Sequence, residues 1–357
     1  MSGPKRIGIL TGGGDAPGLN AVLRAVVRTA GDDAEVVGVL DGFAGLLEGR
    51  FRHLASPDVR ELIRMGGTVL GTTNRDNPFA CRSEHGPVDR SADCLANARR
   101  AGLEALIVIG GDGTLRIASE LGKLGLGVIG VPKTIDNDLV STDYTFGFWT
   151  AIGVATDALD RLRDTAESHH RVMVLEVMGR TAGWIALHAG IAGAADVILI
   201  PEIPYDPESV ARTVVSCQGR GRASSLIVVA EGATSRGGEM SIQSVDLTTG
   251  VVRLGGAGQR VVRELEALTR CDVRATVLGH LQRGGSPVAF DRILATQFGE
   301  AAARLAIAGR CGRMVRLANG RIDDVDLDEA VREIKLVDPA SPLVRTARSL
   351  GIAFGDE

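Results

Sequence analysis

A short apolar run, a glycine-dense turn and a helical stretch follow one another twice in this chain, and few folds admit that succession. The first unit is Arg6-Ile7-Gly8-Ile9-Leu10, then Thr11-Gly12-Gly13-Gly14-Asp15-Ala16-Pro17-Gly18. Leu19, Val22, Leu23, Val26, Val27 and Ala30 come next at helical spacing, with Asn20, Arg24 and Arg28 on the opposite, polar face. The second unit is the apolar run 105–109 followed by Gly110-Gly111-Asp112-Gly113-Thr114. Residues 35–40, 127–131, 172–177, 197–200 and 226–230 are further buried-strand candidates. Continuous apolar runs alternating with helices predict an α/β chain with mostly parallel sheets, covered by helices on both faces. The expected architecture is two three-layer, Rossmann-like domains. Ligands in such folds bind at the carboxyl ends of the strands, where both glycine turns sit.

A length of 357 residues agrees with two domains. The expected division is 1–147 with a return segment at about 282–335, against 148–281 with about 336–357. From Ile334 onward the chain is polar, carries Pro339 and Pro342, and reads as a surface extension. Hydrophobic residues make up 45%, charged residues 24%, and the net charge is −4, values that exclude disorder and a nucleic-acid-coating role. Aromatics are only 3%, which argues against recognition by base stacking, while 47 glycines favour close backbone approach to small polar ligands. The longest stretch without a charged side chain, 181–195, has 15 residues, short of the ~20 that a membrane helix needs. Residues 1–6 hold no apolar segment of the signal-peptide kind, so the expectation is a cytoplasmic chain with no membrane and no nucleic-acid partner. The five cysteines are widely spaced and form no CxxC, which disfavours disulfides and structural zinc.

The turn from Gly12 to Gly18 imitates a P-loop, but Leu19 and Asn20 stand where Lys and Ser/Thr are required. Its backbone N–H groups still suit an anion, and a plain strand-to-helix turn explains it equally well. Residues 125–130 match a dinucleotide fingerprint but lead into a strand instead of following one, so the match is discounted. The Gly110–Thr114 turn is more specific. Two glycines let a polyphosphate lie against the chain, and Asp112 stands where Mg²⁺ can neutralise it. Helix capping by Asp112 or Thr114 is the plainer explanation, and it leaves the surrounding glycines unaccounted for. Pro132-Lys133-Thr134-Ile135-Asp136-Asn137-Asp138 follows the next strand; it is either an Asx-rich turn or a place for a base that takes a hydroxyl proton. Lys133 is one of four lysines in a chain otherwise supplied with arginine. Arg171 precedes an apolar strand ending in Met178-Gly179-Arg180, and Arg274 precedes Thr276-Val277-Leu278-Gly279-His280-Leu281-Gln282-Arg283-Gly284-Gly285. Arginines at strand ends suit a phosphorylated substrate, although each alone is more often a surface ion pair. Glu231 and His280 singly read as a helix-start charge and a structural histidine.

Taken in order, these motifs resemble the 6-phosphofructokinase family from Ile7 to about Pro287. The resemblance implies transfer of the γ-phosphoryl group of ATP to the 1-hydroxyl of fructose 6-phosphate. It implies Asp136 as the base, supported by Asp138, with Thr134 at the reacting groups and Arg180 offsetting transition-state charge. Asp112 is the implied Mg²⁺ ligand, and Gly13, Arg75, Gly111, Gly113, Thr114 and Lys133 the donor site. Met178, Gly179, Arg180, Glu231, His280 and Arg283 are implied to grip the sugar phosphate together with Thr134 and Asp136. Arg171 and Arg274 reach, in the family pattern, into a neighbouring subunit's site, which implies a homotetramer. The first domain then binds nucleotide and the second sugar phosphate. ATP-using members carry Gly at the position of Gly113, where a carboxylate would occupy the space of the α-phosphate. Lys133 resembles the pyrophosphate-using pattern, so pyrophosphate is the alternative donor. Arg24, Arg28, Arg163, Asp196, Arg220 and Arg222 match effector positions of related bacterial enzymes. NAD and lipid kinases share the Gly-Gly-Asp-Gly-Thr turn but do not account for residues 132–138 or 279–285. A non-catalytic sensor would not need a base at Asp136.

Overall fold

The computed structural model describes residues 5–84, 86–219, 224–240, 242–245 and 252–357. The chain divides into two compact units, one of residues 1–135, 139–150 and 283–334, the other of 136–138, 151–282 and 335–357. The first unit holds β1 (Lys5–Thr11), β2 (Ala34–Val39), β3 (Phe51–Leu54), β4 (Ala105–Gly110) and β5 (Val128–Pro132). The second holds β6 (Val172–Val177), β7 (Val197–Leu199), β8 (Ser225–Ala230), β9 (Ile242–Val245), β10 (Val252–Leu254) and β11 (Val273–Val277). The chain then returns to the first unit for β12 (Arg313–Ala318) and β13 (Arg321–Asp326).

The first sheet runs β13-β12-β5-β4-β1-β2-β3. Its interior pairs are parallel, and only the edge strands β3 and β13 are antiparallel. Both faces are buried, which is why its strands read as unbroken apolar runs. Ile107 and Ile109 of β4 join Ile7 and Ile9 in one core, while Leu106 and Val108 join Leu10 in the other. The helices Leu19–Ala30 and Ala289–Ile307 pack on each other over the first of these faces. Each fully buried aliphatic side chain contributes about 1.5–3 kcal/mol. The second unit's main sheet, β11-β6-β8-β7, is parallel throughout, and β9 and β10 form a small antiparallel pair. The architecture is the α/β one expected, with mostly parallel sheets.

Two expectations fail. Asn20 does not sit on a polar outer face of its helix: it is 1% exposed. Its amide donates to the carbonyls of Met65 and Gly66 at 3.2 and 3.1 Å, and its Oδ1 accepts from the Val69 amide at 3.0 Å. A side chain that satisfies three backbone groups of a neighbouring loop is stable inside, whatever its polarity. The C-terminal segment is not a surface extension either. Pro342–Ser349 is a helix, Val344, Ala347 and Phe354 are fully buried, and the Ile198 amide donates to the Ala353 carbonyl at 2.9 Å. The Glu202 carboxylate accepts from the amides of Gly183 and Val337 at 3.0 and 2.8 Å, tying the segment down. Sparse apolar residues at helical spacing were outweighed in the sequence by the polar average around them.

The uncharged stretch 181–195 contains the buried helix Trp184–Ala192, and no helix among the described residues is long and apolar enough to cross a membrane. No disulfide joins any of the five cysteines among the described residues.

Candidate active site

The chain turns at the carboxyl ends of β1, β4 and β5 gather around one cavity of about 780 Å³, within the range usual for small-molecule sites. Gly13, Arg75, Gly111, Asp112, Gly113, Thr114, Lys133, Thr134 and Arg283 all line it. Nine residues singled out in the sequence thus share one wall.

Glycine is required at Gly13, where φ is +76° and the amide donates to the Thr73 carbonyl at 3.0 Å. A Cβ there would lie 3.2 Å from Thr114 Oγ1 and 3.6 Å from Lys133 Nζ. The turn is therefore folded onto the first residues of the helix Asp112–Lys123 and onto the chain beyond β5. Gly113 differs: a Cβ built on it meets nothing within 4 Å. Its missing side chain keeps space open and serves no packing need.

The capping explanation of Asp112 and Thr114 does not hold. The N-cap of the helix Asp112–Lys123 is Gly111, and no side chain caps it. Thr114 is 8% exposed and packs its side chain beneath Gly12, Gly13 and Gly110. Lys133 is 3% exposed and its ammonium donates to the Gly14 carbonyl, so it is no surface charge. Arg283 Nη1 donates to the Asp15 carbonyl at 3.0 Å, which holds this arginine to the first glycine turn. Thr134 is buried, and its carbonyl accepts from Thr145 Oγ1 at 2.7 Å.

For Mg²⁺, three carboxylates line the cavity, Asp76, Asp112 and Glu120, but no cluster of three His, Cys, Asp or Glu that could hold a metal ion occurs among the described residues. This donor set fits an ion that keeps its waters and is held chiefly by phosphate oxygens. It does not fit an all-protein cage.

In the second unit, the ends of β6, β8 and β11 bring another group together. The amide of Glu231 donates to the Val177 carbonyl at 2.9 Å, and that of Gly232 to the Gly179 carbonyl at 3.1 Å. Gly179, at φ +141°, turns the chain so that Met178 stays buried and Arg180 is exposed. Buried Gln282 accepts from the Met178 amide at 3.4 Å and donates to the Gly279 carbonyl at 3.1 Å. Met178, Gly179, Arg180, Glu231 and exposed His280 thus sit on neighbouring turns, with Gln282 as the clasp. Asp136 and Asp138 are half-buried, and the Asp138 carbonyl accepts from the Lys335 amide at 2.8 Å.

Arg171 and Arg274 are not part of this group. They stand at the amino ends of β6 and β11, and both pair with Asp272, at 2.5 and 2.6 Å. Among the effector candidates, Arg28 is exposed, Arg24 is half-buried, and Arg163 donates to the carbonyls of Gly193 and Ala194 at 2.7 and 2.9 Å. The Asp196 carboxylate accepts from the Leu226 amide at 2.9 Å. Arg220 and Arg222 lie outside the described residues.

The sequence reading passed over Phe43, Phe79, Arg116 and Ile117, which also line the cavity. Arg116 follows Asp112 at i+4 on the same side of a helix, a signal that the spacing did hold. Phe43 and Phe79 belong to short helical turns remote in sequence, and nothing local marks them.

The profile described as PFK: Phosphofructokinase matches residues 6–306. The chain is 56% identical to the ATP-dependent 6-phosphofructokinase of Chloroflexus aurantiacus over 99% of its own length and 98% of that protein. It is 51% identical to the pyrophosphate–fructose 6-phosphate 1-phosphotransferase of Amycolatopsis methanolica, over 94% of this chain and 96% of that one. Among solved structures, phosphofructokinase from Saccharomyces cerevisiae superposes with a TM-score of 0.79 at 32% identity, covering 98% of this chain but 47% of the yeast chain. The chain thus spans about half the length of that structure.

Proposed function

The chain belongs to the phosphofructokinase family, and from that premise we propose that it moves the γ-phosphoryl group of ATP to the 1-hydroxyl of fructose 6-phosphate. The observation that carries this reading is the wall of glycine turns in the first unit, with open space at Gly113. Phosphoryl transfer asks mainly for positioning and charge neutralisation, and a cavity built from backbone amides and a few cations supplies both.

The donor's phosphates lie along Gly13, Gly111, Gly113 and Thr114, with Arg75 and Lys133 as counter-charges. Asp112 holds Mg²⁺, which when bound neutralises the phosphate oxygens. Asp136 takes the proton of the 1-hydroxyl as its oxygen bonds to phosphorus and ADP departs, and Asp138 and Thr134 support it. Arg180 offsets charge on the group in transit. Met178, Gly179, Glu231, His280 and Arg283 hold the sugar phosphate. Donor binding belongs to residues 1–147 and 282–335, and sugar-phosphate binding to 148–281 and 336–357. The same reading sets the reaction in the cytoplasm and in a homotetramer, with Arg171 and Arg274, placed away from the other sugar ligands, serving a neighbouring subunit. Binding of effectors at Arg24, Arg28, Arg163 and Asp196 is part of the same proposal.

Pyrophosphate is the second reading, favoured by the buried ammonium of Lys133. Gly113 weighs against it as the main donor, because its open space is needed only if an α-phosphate follows. Initial rates on purified protein with fructose 6-phosphate separate the two. MgATP should exceed pyrophosphate at equal concentration by at least about tenfold, some 1.4 kcal/mol of barrier. A faster reaction with pyrophosphate would overturn the assignment of donor.

A further inference from the structure

The carboxylate reserved above for the metal already has a cation on it. Nε of Arg116 lies 2.9 Å from Oδ1 and 3.0 Å from Oδ2 of Asp112. A pair at i, i+4 on a helix is ordinarily a surface contact that adds little to stability. Three observations set this one apart. Both residues line the donor cavity, so any metal–phosphate complex entering it meets the pair. Arg116 uses Nε alone, and its two terminal nitrogens make no hydrogen bond among the described residues, which leaves four N–H donors for an incoming anion. The arginine side chain is 47% exposed and the aspartate 26%, so the guanidinium can leave without uncovering any core.

We propose that Arg116 competes with the metal ion for Asp112 and passes to the donor's phosphate chain once the ion has taken the carboxylate. The inference rests on the reading of Asp112 as the metal ligand. The exchange keeps charges matched at each stage: guanidinium–carboxylate gives way to metal–carboxylate and guanidinium–phosphate. Its consequence is selectivity for the metal–donor complex. The ion alone must displace Arg116 and offers it no new partner, whereas the ion with a phosphate chain does.

Mn²⁺ binding to the donor-free, full-length protein, read from water-proton relaxation, tests this with wild type, Arg116→Met, Arg116→Lys and Asp112→Asn. Arg116→Met should bind Mn²⁺ about 5- to 20-fold more tightly, and a non-hydrolysable ATP analogue with Mg²⁺ about 5- to 20-fold more weakly by calorimetry. Arg116→Lys should fall between, since an ammonium keeps the charge on Asp112 but lacks the planar guanidinium's further N–H groups for the phosphate chain. If Arg116→Met leaves Mn²⁺ affinity unchanged while Asp112→Asn abolishes it, the competition is refuted and Asp112 stands as the ligand. If Asp112→Asn binds Mn²⁺ as wild type does, both fall together.

Discussion

After β1 and β4 the chain turns on Gly13, Gly111 and Gly113; after β6, β8 and β11 it turns on Met178, Arg180, Glu231 and His280. The two units share a parallel-sheet logic and place their ligand turns at the same end of the strands. They differ in what those turns present. The first offers amides, open space and a few cations, which in the proposed reading recognise phosphate charge. The second offers long side chains of several chemical types, which discriminate by contact. A donor common to many reactions suits the first, and one particular sugar suits the second.

If chemistry is concentrated in side chains, Asp136→Ala should lower kcat by about 10³-fold or more with a modest change in KM, measured by coupled steady-state assay. A loss confined to KM would move Asp136 out of the base's role. Phe354→Ala should destabilise the protein by about 3–5 kcal/mol in thermal or denaturant unfolding, since the C-terminal segment is core of the second unit. An unchanged midpoint would return that segment to the surface. Gln282→Ala, which removes the clasp between the turns after β6 and β11, should cost about 1–3 kcal/mol of stability and raise KM for fructose 6-phosphate above that for ATP.

The smallest effect concerns pH. Burial pushes the Glu202 carboxyl above its ordinary range against the lowering effect of the two amides it accepts from. The folded protein then binds this proton more tightly than the unfolded chain does. Wild type should lose stability relative to Glu202→Gln as pH rises through and just above the usual carboxylate range. The difference in Tm between the two, followed from pH 4 upward, checks the sign.

Much of this was legible beforehand because the parallel strands are buried on both faces. The runs 172–177 and 226–230 coincide with β6 and β8 to within a residue, and the glycine turns mark where strands end. Less legible were features whose reason lies elsewhere in the chain. Asn20 is buried because a loop near Val69 needs its amide, and Glu202 is buried because Val337 returns to it. The antiparallel edges β3 and β13, Phe-Arg-His-Leu and Arg-Ile-Asp-Asp-Val-Asp, interrupt their apolar residues with polar and charged ones and show no continuous apolar signal. In the cavity, the motif residues Asp112 and Lys133 were readable from type and spacing. Phe43 and Phe79 were not, since only tertiary folding brings them there.

Separate equilibrium binding of a non-hydrolysable ATP analogue with Mg²⁺ and of fructose 6-phosphate to Gly113→Asp tests the division of labour most directly. Filling the open space with a carboxylate should weaken the nucleotide by at least about 30-fold, some 2 kcal/mol, while fructose 6-phosphate stays within about twofold of wild type. Nucleotide bound as tightly as by the unaltered protein, or both ligands weakened alike, would contradict it.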